Sequence, residues 1–108
     1  AMQGGLRMYN IVVCCVSALS SSILVSKMKE VAREKGVKAL IWTVGEAGLD
    51  LAWAEADAVL LTPQVRHLKE KLEAKEDRKV PILPISDADF GAMEVEKILE
   101  QALTVISQ

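Results

Sequence analysis

Four short apolar runs, each followed by a stretch with helical spacing, constrain this chain more than any other feature. The first run is "YNIVVCC", Tyr9 to Cys15, continuously apolar from Ile11 on and rich in β-branched residues. The others are "VKALIWTV" (Val37 to Val44), "AVLLTP" (Ala58 to Pro63) and "VPILPI" (Val80 to Ile85). A strand with one wet face alternates apolar and polar residues. A strand that is apolar throughout is covered on both faces.

The intervening stretches read as helices. In "SSSILVSKMKEVAREKG", Ile23, Leu24, Met28 and Val31 fall on one stripe, and Lys27, Lys29, Arg33 and Glu34 lie off it. Ser20 suits the N-cap and Gly36 the position just past the end. After the second run come glycines and a short helical pattern, roughly Gly48 to Glu55. "QVRHLKEKLEAKED" turns Val65, Leu68 and Leu72 inward, with Pro63 closing the strand and opening the helix. "GAMEVEKILEQALTVIS" puts Val95, Ile98, Leu99, Ala102 and Ile106 on its buried stripe.

A strand and a helix repeated four times make an α/β chain with a parallel sheet covered on both faces. Right-handed crossovers leave few topologies. The expected fold is a three-layer, doubly wound four-stranded parallel sheet of order 2-1-3-4, with helices on both faces. Pro81 and Pro84 place the fourth strand at an edge, where a missing N–H costs nothing. Ligands of such sheets bind beyond the carboxyl ends of the strands, near the switch in strand order. The loop after the first strand is therefore the first place to look.

Length and composition bound the function. With 108 residues, 51% of them hydrophobic, the chain can build one core, expected over residues 8–108. "AMQGGLR" reads as an expression remnant or disordered leader ahead of a natural start at Met8. The net charge is -2 with both signs interspersed, and aromatics are 4%. Neither a basic face nor stacking platforms are present, so nucleic acid is not an expected partner. No apolar run reaches the roughly 18 residues of a membrane span, so direct membrane insertion is not expected. Two adjacent cysteines bridge only with strain, which points to reduced thiols and a cytoplasmic setting.

The loop after the first strand is "CVSALSSS". A helix N-terminus offers unpaired N–H groups and partial positive charge, and so favours anions, phosphate above all. Small residues let the backbone close around a phosphoryl group, and hydroxyls add donors. The same field favours thiolate over thiol at Cys15. Neighbours on a strand point to opposite faces, so Cys14 belongs in the core and Cys15, at the exit, faces the loop. Taken alone, Cys15 suits a core filler as well as a nucleophile. Other chemistries fit worse. There is no C-x-x-C redox motif, no G-x-G-x-x-G, and too few clustered ligands for zinc. A cysteine phosphatase would carry an arginine six residues after its cysteine, where this chain has Ser21. Without that guanidinium there is no bidentate clamp on the phosphoryl group. A phosphocysteine made here would persist until an acceptor took it.

"CCVSALSSSILVSKM" resembles the active-site loop and first helix of the enzyme IIB component of the phosphoenolpyruvate-dependent sugar phosphotransferase system, in its lactose/cellobiose/chitobiose branch. The resemblance continues through "ADAVLLTPQVRHLKEKL", with its Pro-Gln pair after an apolar strand, and "VPILPISDADFGAMEVEKILEQAL". It covers about Tyr9 to Leu103 and implies a flavodoxin-like sheet. It also implies a relay. The cysteine takes a phosphoryl group from a phosphohistidine of the IIA partner and passes it to a sugar bound by the membrane component IIC. The sugar would be a β-linked disaccharide such as cellobiose, chitobiose or lactose. Carried onto this chain, the acceptor is Cys15 and the phosphate loop is Val16, Ser17, Ala18, Leu19, Ser20, Ser21 and Ser22. The family often has glycine where Ala18 stands and tyrosine where Phe90 stands. Gln64 and Phe90 are candidates for the rim of the site. No metal or other cofactor is called for. Two other classes remain: a low-molecular-weight cysteine phosphatase or arsenate-reductase-like enzyme, and a degenerate domain that only binds a partner.

The remaining candidates read plainly. His67 suits a solvated position on a charged helix, and Trp42 and Trp53 suit packing. Asp87 and Asp89 form a polar turn or tune the loop from the same end of the sheet.

Overall fold

The computed structural model describes residues 8–16, 22–75 and 79–107. Its four strands are β1 (Tyr9–Cys14), β2 (Ala39–Val44), β3 (Ala58–Leu61) and β4 (Ile82–Pro84). All pair in parallel, in the order β2-β1-β3-β4. The helices are α1 (Ser22–Glu34), α2 (Leu49–Trp53), α3 (Lys69–Glu73), α4 (Asp87–Gly91) and α5 (Val95–Ser107), with 3-10 turns at Glu46–Gly48 and Pro63–Leu68. This is the doubly wound, flavodoxin-like α/β arrangement expected from the four apolar runs. The segment 1–7 and the serine loop at 17–21 lie outside the described residues.

Strand pleating divides the core into two layers. Ile11 and Val13 of β1 face Leu24 and Met28 of α1 and Ile98 and Leu99 of α5. Val12 and Cys14 face the other way, onto Leu49 and Trp53 of α2 and onto Val65 and Leu68. Successive side chains of a strand leave on opposite faces, so a central strand must be apolar at every position to satisfy both layers. Residues 11 to 15 and 58 to 61 are all buried. β4, with its prolines, is an edge strand.

Local signals fix several ends. Gly36 has φ +73, the left-handed conformation that glycine adopts without penalty. Its N–H donates to the Arg33 carbonyl at 3.2 Å, and the Val37 N–H donates to the Ala32 carbonyl at 2.8 Å. That pair of bonds is a Schellman ending, which satisfies two carbonyls the last turn would leave bare. Pro63 takes the first position of its 3-10 turn, as expected.

Three expectations shift. Ile23 is 62% exposed, and the buried stripe of α1 is Leu24, Val25, Met28 and Ala32, with Val31 partly covered. The continuous amphipathic helix expected over residues 64–77 is a 3-10 turn followed by the five-residue α3, broken where Val65 leaves helical geometry to φ -118, ψ 18. Val65, Leu68 and Leu72 still point inward. The final helix does not run from Gly91. The Ser86 hydroxyl accepts the Asp89 N–H at 3.0 Å and starts α4 early. A left-handed Met93, at φ 54, then separates α4 from α5.

Candidate functional site

The switch in strand order falls between β1 and β3. The crossover through α1 leads from β1 outward to β2, and the chain then returns across β1 to β3. Connections on either side of this line leave a crevice beyond the carboxyl ends, the usual site for a ligand. Cys14 pairs in register with Val44 of β2 and Leu61 of β3. Cys15 is therefore the first residue past the end of the central strand. Its N–H still donates to the Val44 carbonyl at 3.1 Å.

The two cysteines have separate surroundings, and neither is in a disulfide. Cys14 packs with Trp53 and Leu61 in the α2 layer. Its thiol is pushed up to about 11, chiefly by burial, then by the neighbouring Cys15 and the Glu46 carboxylate. Burial disfavours the thiolate because water no longer solvates the charge, so Cys14 stays protonated and inert at neutral pH. Cys15 is also fully buried, although it stands at the strand exit, ahead of the loop it was expected to face. The strand bond to Val44 carries Cys15 one residue deeper into the sheet than the end of β1 suggests.

Around this exit the candidate residues separate. Val16 is 67% exposed directly after Cys15. Ser22 is the exposed first residue of α1, whose first turn carries no acid to oppose an anion. Ser17, Ala18, Leu19, Ser20 and Ser21 lie outside the described residues. Gln64 is exposed in the turn after β3. Phe90, expected at the rim, is half-buried in α4 and packs against the α1–α5 layer, so its ring serves the core. His67 is exposed, as expected of a solvated position.

Charged residues frame the same end, Asp87 and Asp89 as expected and Glu46, Asp50, Arg66, Lys71, Lys75 and Lys97 besides. Beside Val16 an open cleft of about 640 Å³ is lined by Gly45, Glu46, Ala47, Asp50 and Lys71. Lys71 lies 3.8 Å from Glu46, and Lys75 lies 3.1 Å from Asp50. On the opposite flank Arg66 pairs with Asp87 at 3.1 Å, tying the turn after β3 to α4. Lys97 pairs with Asp89 at 3.2 Å. Each pair has at least one side chain largely in solvent, so it shapes the local field more than it stabilises the fold. Asp87 and Asp89 stand in α4, both in its first turn, where carboxylates suit the helix dipole.

Thr62 carries the signal that sequence alone does not provide. It follows β3, is fully buried, and donates to the Cys14 carbonyl from both its N–H and its hydroxyl. Nothing in "LLTPQ" marks that contact, because the partner lies 48 residues away.

Comparison with known proteins agrees with this geometry. Residues 10–101 match the family model described as the PTS system, lactose/cellobiose-specific IIB subunit. The chain is 37% identical, over 92% of its length and 97% of the relative's, to an oligo-β-mannoside-specific EIIB component of Bacillus subtilis. It is 34% identical to a cellobiose-specific EIIB component of Lactococcus lactis, over 85% of this chain and 91% of that one. The solution structure of a cellobiose-specific phosphotransferase IIB component from Borrelia burgdorferi superposes with a TM-score of 0.80 at 32% identity, covering 94% of each chain. With the switch-point cysteine, the strand order and a family match over nearly the whole described fold in hand, the chain belongs to the lactose/cellobiose-specific IIB subunit family of the phosphotransferase system.

Proposed function

We propose that residues 8–108 form one phosphocarrier domain in which Cys15 accepts a phosphoryl group from a phosphohistidine of a IIA component and passes it to a sugar held by a membrane IIC component. The observation that carries this reading is the position of Cys15. It is the first residue past the central strand, at the switch between β1 and β3, just ahead of the loop that leads into α1. Membership of the IIB family supports the same partners.

Two displacements make up the transfer. In the first, the Cys15 thiolate attacks phosphorus, an S–P bond forms, and the N–P bond to the donor imidazole breaks. In the second, a sugar hydroxyl attacks phosphorus, an O–P bond forms, the hydroxyl proton passes to a base or water beside the sugar, the S–P bond breaks and Cys15 leaves as thiolate. Little covalent chemistry is asked of the protein beyond the sulfur, so positioning and charge stabilisation carry catalysis. Backbone N–H groups over Val16 to Ser22, together with the Ser20, Ser21 and Ser22 hydroxyls, would hold the phosphoryl oxygens. Because Cys15 is fully buried, the transfer requires a local rearrangement that brings its sulfur into contact with the donor. Among the described residues, no helix is long and apolar enough to cross a membrane, which suits a carrier shuttling between partners in the cytoplasm. Relatives named for oligo-β-mannoside and for cellobiose support a β-linked disaccharide, such as cellobiose, chitobiose or lactose, as the proposed sugar class.

Intact mass tests the relay. The protein is incubated with phosphoenolpyruvate, the general transfer proteins and a IIA component, beside Cys14→Ser and Cys15→Ser. One phosphoryl adduct that survives Cys14→Ser and vanishes with Cys15→Ser is expected. No adduct from several IIA donors would leave a partner-binding domain without transfer. Hydrolysis of an aryl phosphate would instead support a phosphatase.

A further inference from the structure

The carbonyl oxygen of Cys14 accepts two hydrogen bonds from one residue. Thr62 donates its backbone N–H at 3.1 Å and its hydroxyl at 3.3 Å. The other end of the same peptide group is held as well, since the Cys15 N–H donates to Val44 at 3.1 Å. The Cys14–Cys15 peptide is thus gripped from the β3 side at its oxygen and from the β2 side at its nitrogen. Rotation about the bonds flanking that plane sets the direction in which the Cys15 side chain leaves the backbone. A backbone N–H alone would continue the ladder; the hydroxyl is a second donor that the sheet does not need.

Stability alone does not ask for a threonine here. Among the described residues Thr62 is the only fully buried polar residue. A buried hydroxyl costs free energy unless it is bonded, and its net contribution when bonded is small. Valine would occupy the same space and leave the Cys14 oxygen still bonded to the residue-62 N–H. The hydroxyl's contribution to cohesion is therefore small.

We propose that Thr62 is a positioning residue for phosphoryl transfer, its hydroxyl locking the peptide that aims the Cys15 thiol. This rests on Cys15 being the phosphoryl acceptor. Reactions of this kind are sensitive to small errors in the approach of nucleophile to phosphorus, so a loosened peptide plane slows transfer without unfolding the chain.

The test compares wild type, Thr62→Val, Thr62→Ser and Cys15→Ser. Initial rates of phosphoprotein formation are followed by intact mass over a range of phosphorylated IIA concentrations, with thermal midpoints alongside. Thr62→Val is expected to lower the saturated rate by about 5- to 10-fold, with half-saturation and midpoint close to wild type, and Thr62→Ser to restore it to within about twofold. A wild-type rate in Thr62→Val, or a Thr62→Ser as slow as Thr62→Val, overturns the role of the hydroxyl. Phosphorylation that persists in Cys15→Ser overturns the acceptor assignment and this inference with it. Should the wild-type chain take up no phosphoryl group, the acceptor assignment fails by itself, and iodoacetamide labelling of Cys15, mapped by peptide mass, decides for Thr62. A labelling rate altered in Thr62→Val and normal in Thr62→Ser supports positioning; equal rates in all three overturn it.

Discussion

Leu24 and Ile23 are neighbours in the first turn of α1, yet Leu24 is 1% exposed and Ile23 is 62% exposed. Leu24 faces Ile11 and Val13 of the central strand, and Ile23 stands in solvent. An isoleucine left in water contributes little to cohesion. Leu24→Ala is expected to cost about 2–5 kcal/mol in urea unfolding, and Ile23→Ala to stay within about 0.5 kcal/mol. Equal costs would mean that α1 is rotated from the orientation described.

Cys14 makes stability depend on alkaline pH. Its thiol pKa lies above the ordinary 9.0, at about 11, so between these values the folded chain keeps a proton that the unfolded chain releases. More protons bound in the folded state means that stability falls as pH rises, by up to about 3 kcal/mol once pH passes the folded value. Below about pH 9 the contribution is fully present. Urea unfolding of wild type and Cys14→Ala at about pH 8 and about pH 10.5 checks the sign, the variant losing less on going alkaline.

Gly36 has open space where a Cβ would stand, so a substitution there meets no clash. The penalty is conformational only, from φ +73. Gly36→Ala is expected to cost about 1–2 kcal/mol, and Gly36→Asn, which tolerates the left-handed region, less. Thermal unfolding of both variants reads the difference. A neutral alanine would show that the Schellman ending is not retained in solution.

Arg66 and Asp87 join two segments at the rim, both largely exposed. A double-mutant cycle with Arg66→Ala and Asp87→Ala is expected to give a coupling of about 0.2–1 kcal/mol. Raising the salt to about 1 M should erase most of it. A larger, salt-insensitive coupling would place the pair in a drier environment than this one.

Much of the architecture was legible along the chain because it depends on local periodicity. Residues Ile11 to Cys15 and Ala58 to Leu61 are apolar at every step, and only burial on both faces satisfies that pattern. Gly36 and Pro63 mark ends through their own backbone geometry, and β4 is at the edge its prolines require. From those facts the parallel sheet, its order and the switch-point location of Cys15 follow with few alternatives.

What periodicity could not decide was set by contacts between distant segments. Ile23 and Val25 are equally apolar, and only the angle at which α1 docks on β1 buries one and exposes the other. The helical spacing of 91–107 continues past Met93, but the Ser86 cap and the left-handed Met93 divide it into two helices. Cys15 is buried at the strand exit, where its N–H continues the ladder between β1 and β2. Thr62 reaches Cys14 across 48 residues of sequence, through a strand pairing that brings the ends of β1 and β3 together. The sequence by itself determined the layers, since each helix and strand declares its own buried face, and right-handed crossovers left few orders for the strands. Only the tertiary structure decided how the cysteine peptide is held, since that hold consists of hydrogen bonds whose two ends share no local pattern.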